Sequence, residues 1–280
     1  MPRVELLHQS GIDLGGIDYF LISSCLPFQQ ETLQALGIPQ SKILETTQYP
    51  HLQATRLVVP SFPGTVAWMP PWACNFLRRT FAEPTPNPSQ EGSRTHPQTL
   101  PGREQNPPPT PPRRGEQNPP PTPPRRGVIG TDLQEISEKI ERLYISRQSV
   151  ANRLVINEKE VISFLEQFGF TSVSLESMSV RQQAALLDQA QVVVAPHGSG
   201  LTNTVFCSPG TKVIEIFSPN YVYHCYWLLS NLVGLEYYYL LGETLPGCTL
   251  HQLIYPNSRI EDIFVNLDEL SKMMKFAGVV

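Results

Sequence analysis

The stretch QVVVAPHGSGLTNTVFCSPGTKVIEIF, Gln191 to Phe217, decides the fold. It holds two short runs rich in valine and isoleucine, Gln191–Ala195 and Lys212–Phe217. Between them a Pro-His-Gly-Ser-Gly turn leads into a short helix candidate, Leu201–Cys207. Apolar runs of this length read as buried strands, and a helix between two of them is a crossover connection, so the strands are expected to be parallel and covered on both faces. Ligands bind such sheets outside the carboxyl ends of the strands. That places Pro196–Gly200 on the functional edge.

The same alternation continues on both sides. Upstream, Arg142–Ser146 and Thr171–Leu175 read as strands. Asn157–Phe168 reads as a helix with a capping box at Asn157 and Glu160 and a stop at Gly169, and Ser179–Ala190 as a helix with a capping pattern at Ser179 and Gln182. Downstream follow a helix over Tyr221–Leu232, a strand over Glu236–Leu241 and a last helix over Leu267–Phe276. The expected fold class is α/β, with a Rossmann-like parallel sheet over residues 128–280. Residues 1–83 hold strand-like pieces at Asp18–Ser23 and Thr55–Pro60 and a helix at Phe28–Leu36 ended by Gly37, and read as a partial α/β unit.

Residues 84–127 differ from both. They contain 15 of the 28 prolines, and EQNPPPTPPRRG occurs twice in tandem, at Glu104–Gly115 and Glu116–Gly127. Such a segment buries too little apolar area to offset its ordering entropy, so it reads as a disordered, partly polyproline-II insert. Arg113, Arg114, Arg125 and Arg126 lie within the exact duplication, which favours a solvated spacer over a nucleic-acid or SH3-like site.

Bulk composition narrows the function classes. With 280 residues, 40% hydrophobic content and a formal net charge of −4, the chain reads as globular and without a nucleic-acid partner. Its five cysteines are scattered and form no C-x-x-C pair, which argues against a disulfide framework or zinc cage and for free thiols in a reducing compartment. No apolar run reaches the ~18 residues of a membrane span. The first 30 residues lack the features of a secretory signal, so a cytoplasmic location is expected, peripheral at the membrane at most.

The chemistry gathers at the strand ends. Gly198 and Gly200 let backbone N–H groups approach a ligand closely, and the following helix offers unpaired donors, so an anion site is one reading. A tight turn capped by His197 is the other. Arg147 and Arg153 flank the loop after the strand at Arg142–Ser146, where guanidinium groups can grip a diphosphate or serve only as surface charge. Glu215 interrupts an apolar strand; it either reaches the edge to accept hydrogen bonds from a ribose or faces solvent on an edge strand. Tyr237, Tyr238 and Tyr239 read as strand packing, and His224 as a helix-surface residue. Phosphate-binding loops of the G-x-x-x-x-G-K type, a G-x-G-x-x-G fingerprint and a G-x-S-x-G elbow are all missing, and neither Asp-x-Asp nor H-E-x-x-H occurs. Neither a bound metal nor a cofactor is expected.

In order, ISRQSVANRLVINEKEV and LESMSVRQQAALLDQAQVVVAPHGSGLTNTVFCSPGTKVIEIF resemble the glycosyltransferase family 61 domain, the group often described as capsular polysaccharide biosynthesis proteins. The similarity is concentrated in about 75 residues from Ile145 to Phe217, and weaker likeness extends through NYVYHCYWLLSNLVGLEYYYL and, before the insert, FQQETLQALGIPQSKI and ATRLVVPS. The resemblance implies an inverting transferase with two facing Rossmann-like halves (GT-B type), a UDP-sugar donor, a polysaccharide, glycolipid or protein acceptor, and no essential metal. Residues 128–280 would be the donor half and residues 1–83 part of the acceptor half.

Carried over by position, Arg147 contacts the diphosphate and Arg153 supports it or the loop. Asn157 and Glu158 match the family's Asn-Glu pair, His197 and Gly198 its His-Gly pair at the donor site, with Ser199 and Gly200 following, and Leu201–Asn203 its Leu-Thr-Asn. Glu215 matches the acidic residue of the next strand, with a ribose or uracil contact expected. An inverting reaction needs a base for the acceptor hydroxyl. His197 is the candidate, with a donor-phosphate role and a base from the N-terminal half as open alternatives. The N-terminal half is shorter than a complete Rossmann-like domain of well over ~100 residues and reads as truncated at its start. A nucleotide-binding relic without turnover therefore stays open beside the active transferase, as does, more weakly, an esterase-like hydrolase using His197–Gly200 as its oxyanion loop.

Overall fold

Three residues of β1 (Phe20–Ile22) pair in parallel with three of β2 (Ile43–Glu45), joined by α2 (Pro27–Ala35) after a first helix α1 (Pro2–Gln9). This βαβ unit has its own small core of Phe20, Leu33 and Ile38. The computed structural model of the chain describes residues 2–65, 68–81, 140–148, 150, 152–244 and 248–280. The proline-rich repeat lies outside the described residues. The described residues before and after it belong to one compact unit.

The larger sheet has five parallel strands in the order β4 (Thr171–Val173), β3 (Arg142–Ile145), β5 (Val192–Pro196), β6 (Lys212–Phe217) and β7 (Glu236–Leu241). From β3 the chain builds first to one side, through β4, and then to the other, through β5. The crevice at the carboxyl ends of β3 and β5 is therefore the topological switch point of the sheet. Alternating side chains feed two cores. Leu143, Ile145, Val193, Ala195 and Val213 pack under α5 (Val180–Gln189) and α6 (Cys225–Val233), together with Cys74 and Phe81 of α3 (Pro71–Phe81). Tyr144, Val192, Val194, Ile214 and Ile216 face α4 (Glu158–Glu166) and the last helix α8 (Leu267–Phe276), where Val161, Leu165, Leu270 and Met274 are buried. Between β7 and α8 lies the short helix α7 (Cys248–Ile254).

Two sequence expectations need correction. Thr55–Pro60 forms no strand; Leu57 and Val59 are 73% and 69% exposed, so the apolar run finds no partner strand. Asn157 precedes α4 without a side-chain cap bond, because its amide instead donates to Val265 O at 2.8 Å and accepts from Val265 N at 3.0 Å. The capping box at Ser179 and Gln182 is present, with Gln182 N donating to Ser179 Oγ at 3.1 Å and Ser179 N to Gln182 Oε1 at 2.7 Å. The short helix expected between β5 and β6 is present as a 3-10 helix, Ser199–Phe206. Helix α3 lies in the part of the sequence read as a separate unit, yet Arg78 donates to Val205 O at 2.6 Å and Cys207 O at 2.7 Å, which fastens α3 to this crossover.

Candidate active site

The site begins where β3 and β5 end side by side. Arg147 follows β3 by two residues and His197 follows β5 directly, and the register that pairs Tyr144 with Val194 sets them on the same edge. Arg147 folds over Gly198: a Cβ built there would lie 1.7 Å from Arg147 Nη1. No residue but glycine leaves room for this guanidinium. Gly200 is less crowded, with a Cβ there falling 3.3 Å from Ile145 Cγ2. The first hydrogen bond of the 3-10 turn, Leu201 N to Gly198 O at 3.0 Å, leaves the N–H groups of Ser199 and Gly200 ahead of it. Ser199 is exposed.

Arg147 is only 8% exposed, yet among the described residues no carboxylate bonds to its guanidinium. Nη2 donates to Asn152 O at 3.1 Å, and Nε has no hydrogen-bond partner among the described residues. Burial weakens its hold on the proton, and the positive charge of Arg153 adds to the effect. The charges of Glu176 and Glu158 act on Arg147 without a hydrogen bond to the guanidinium, and a buried cation so weakly paired favours a negatively charged ligand. Glu158 does not meet that demand: its Oε1 accepts from Tyr144 Oη at 3.0 Å and from the backbone N of Arg147 at 3.2 Å. It fixes the end of β3 from below, as Asn157 fixes the loop through Val265.

Arg153 adopts φ of +56°, a left-handed conformation costly for a side chain of this kind. In return its Nε donates to His197 O at 3.1 Å and its Nη1 to Arg259 O at 2.8 Å. It thus ties the loop after β3 to the end of β5 and to the C-terminal segment. Asn203 turns away from the crevice to donate to Gln183 Oε1 at 2.8 Å.

His197 itself is buried, with its ring stacked on Phe217 at 5.0 Å and edged by Tyr221 and Tyr226 at 5.5 Å each. Its Nδ1 bonds to Glu215 Oε1, and Tyr237 Oη donates to Glu215 Oε2 at 2.6 Å. Glu215 is wholly buried on the second strand from the sheet's edge, so the solvent-facing position on an edge strand does not hold. Both oxygens serve protein groups. Tyr237, read from sequence as packing, is the partner that reading missed. The signal was the equal spacing of KVIEIF and EYYYLL, since the parallel register sets Val213 beside Tyr237 and Glu215 beside Tyr239 on one face. A second buried pair, His251 Nε2 with Glu261 Oε1, was also missed; Asn220 joins it through its side chain at 3.0 Å.

Among the described residues no group of three or more His, Cys, Asp and Glu side chains could hold a metal ion, and no helix is long and apolar enough to cross a membrane. Cys25, Cys74, Cys207 and Cys225 are free thiols.

Comparison with known proteins bears on the whole of this arrangement. The chain is 31% identical over 130 residues to Beta-1,2-xylosyltransferase RCN11 of Oryza sativa subsp. japonica, a match covering 44% of this chain and 22% of the rice protein. It is 30% identical over 142 residues to Beta-1,2-xylosyltransferase of Arabidopsis thaliana, covering 46% and 24% of the two chains. Over 99 residues it is 35% identical to Protein O-linked-mannose beta-1,4-N-acetylglucosaminyltransferase 2 of Xenopus laevis, covering 33% and 17%. The matches thus span no more than about a quarter of these relatives' length. The Glycosyltransferase 61 family model matches residues 4–214, which takes in β1 to β5, the first half of β6 and the crevice between β3 and β5, and the chain belongs to that family.

Proposed function

We propose that the chain transfers a sugar from a nucleotide-sugar donor, a UDP-sugar, to a hydroxyl of a glycan, glycolipid or protein acceptor, with inversion and without a bound metal. The observation that carries this reading is the buried guanidinium of Arg147, its Nε without a partner among the described residues, lying on Gly198 at the switch point. A diphosphate there takes the place of a hydrogen-bonded counter-ion, with Arg153 close by and the N–H groups of Ser199 and Gly200 at the start of the 3-10 turn as further donors. Those fixed charges stabilise the departing nucleoside diphosphate, the role a divalent cation fills elsewhere. The relatives' names support sugar transfer, two naming transfer of xylose in a β-1,2 linkage and one transfer of N-acetylglucosamine to O-linked mannose on protein. The β1–α2–β2 unit supports a second α/β half of a GT-B arrangement on the acceptor side.

Calorimetric titration with UDP tests the anion site, followed by a panel of UDP-sugars scored for released UDP. UDP binding with sugar-dependent release is the expected result. Arg147→Ala should weaken UDP binding at least tenfold, about 1.4 kcal/mol, by loss of charge-assisted contacts. Unchanged affinity in that variant removes Arg147 from the site. Binding without release would replace the transferase by a nucleotide-binding module.

A further inference from the structure

We infer that Tyr237 and Glu215 form a hydrogen-bonded relay that positions His197 as the base of the transfer, with Nε2 as the atom that receives the acceptor's proton. This rests on the reading of the crevice as a glycosyl-transfer site. The relay runs along one face of the sheet. Glu215 stands on β6 with one oxygen on His197 Nδ1 and the other accepting from Tyr237 Oη at 2.6 Å. A carboxylate on Nδ1 keeps the proton there in the neutral ring and leaves the lone pair on Nε2. Nε2 has no hydrogen-bond partner among the described residues, and the side chain keeps 7% of its surface exposed. The ring is held in its plane by Phe217 beneath it and by Tyr221 and Tyr226 at its edges.

Titratable and charged groups face this pair from β7, from α6 and from the loop after β3. Tyr237 and Tyr239 come from β7, Cys225 and Tyr226 from the start of α6, and Arg147 and Arg153 from the loop. Burial pushes the Cys225 thiol up to about 11 and the Tyr226 phenol up to about 12, so both stay neutral at ordinary pH. Burial and the Glu215 charge push the Tyr237 phenol higher still, so it remains a donor to the carboxylate.

In the step, the acceptor oxygen bonds to the anomeric carbon while its proton passes to Nε2. The bond from that carbon to the phosphate oxygen breaks, and the nucleoside diphosphate leaves with the electron pair. The imidazolium later gives its proton to solvent. Tyr237 and Glu215 touch no substrate; they act through His197 and are positioning residues.

The test is NMR titration of the His197 imidazole in the full chain, with the signal assigned by its loss in His197→Gln. Removing the Tyr237 hydroxyl leaves the Glu215 charge unshared, so Tyr237→Phe should raise the titration midpoint by about half a unit. Glu215→Gln removes the anion and should lower it by about one unit or more. Identical midpoints in wild type and Tyr237→Phe would overturn the relay. Tyr237→Phe loses a single oxygen, so it decides the matter even if Glu215→Gln fails to fold. Neither reading needs donor or turnover, so failure of the transferase reading shows separately in the UDP titration. Where UDP-sugar turnover is measured, the acid limb of kcat/KM should move with the NMR midpoint. An acid limb that stays put in Tyr237→Phe while the midpoint moves would overturn His197 as the base, and absence of turnover would overturn that role for this chain.

Discussion

Arg147 and Gly198 compete for the same space, and the arginine has it. Gly198→Ala would set a methyl group 1.7 Å from Nη1, a contact no side-chain adjustment of alanine can relieve. The guanidinium must then leave its place over the turn. UDP affinity should fall about tenfold or more, roughly 1.4 kcal/mol, with overpacking lowering stability by about 1–3 kcal/mol. The double variant with Arg147→Ala checks the cause by isothermal titration and thermal unfolding. If the clash is with the guanidinium, Gly198→Ala costs little once Arg147 is gone; an undiminished cost means that the turn backbone is at fault. The sequence marks Gly198 as a close-approach glycine but does not name what approaches, since Arg147 stands 51 positions earlier in the chain. Glu215 shows the same limit. Its place on an apolar strand is readable, whereas its partners His197 and Tyr237 depend on the register of three strands.

At the scale of elements, α5 shows how a local signal and a distant one meet. Ser179 and Gln182 cap each other, which the sequence pattern predicts from four consecutive residues. The next two N–H groups, of Val180 and Arg181, donate to Glu31 at 2.8 and 3.1 Å, a carboxylate on α2 that no local pattern connects to them. Ser179→Ala should destabilise the chain by about 1 kcal/mol in urea unfolding, the usual cost of a lost cap. A change below a few tenths of a kcal/mol would show that Glu31 alone satisfies the helix start. Strand identities over β5 and β6 agree with the apolar runs, because both faces of these strands are buried and their composition has little freedom. Thr55–Pro60 has the same composition but no neighbouring strand to pair with, and composition alone cannot supply one.

On the scale of the whole molecule, the N-terminal βαβ unit and the five-stranded sheet are joined by few polar contacts, and Glu31 makes two of them. It brings a negative charge to the positive end of α5, so the contact combines hydrogen bonding with the helix dipole. Glu31→Ala leaves two donors without partners and should cost about 1–3 kcal/mol. Limited proteolysis of the full chain should then cut within residues 2–65 sooner than in wild type. An unchanged cutting pattern together with an unchanged unfolding midpoint would mean that α3, through Arg78 and its buried Phe81, carries the attachment without help.

By itself the sequence determined the element types of the second half, their parallel arrangement, the capping of α5 and the family, because each is written in neighbouring residues or in an ordered run of them. Tertiary structure alone decided that Arg147 lies on Gly198 with no hydrogen-bond partner for its Nε among the described residues, that Arg153 binds two carbonyls rather than facing outward, and that Glu215 and Tyr237 stand behind His197. The physical reason is distance along the chain. Periodicity and capping act within one or two turns of backbone, whereas a buried charge takes its partners from whichever strands the sheet order sets beside it.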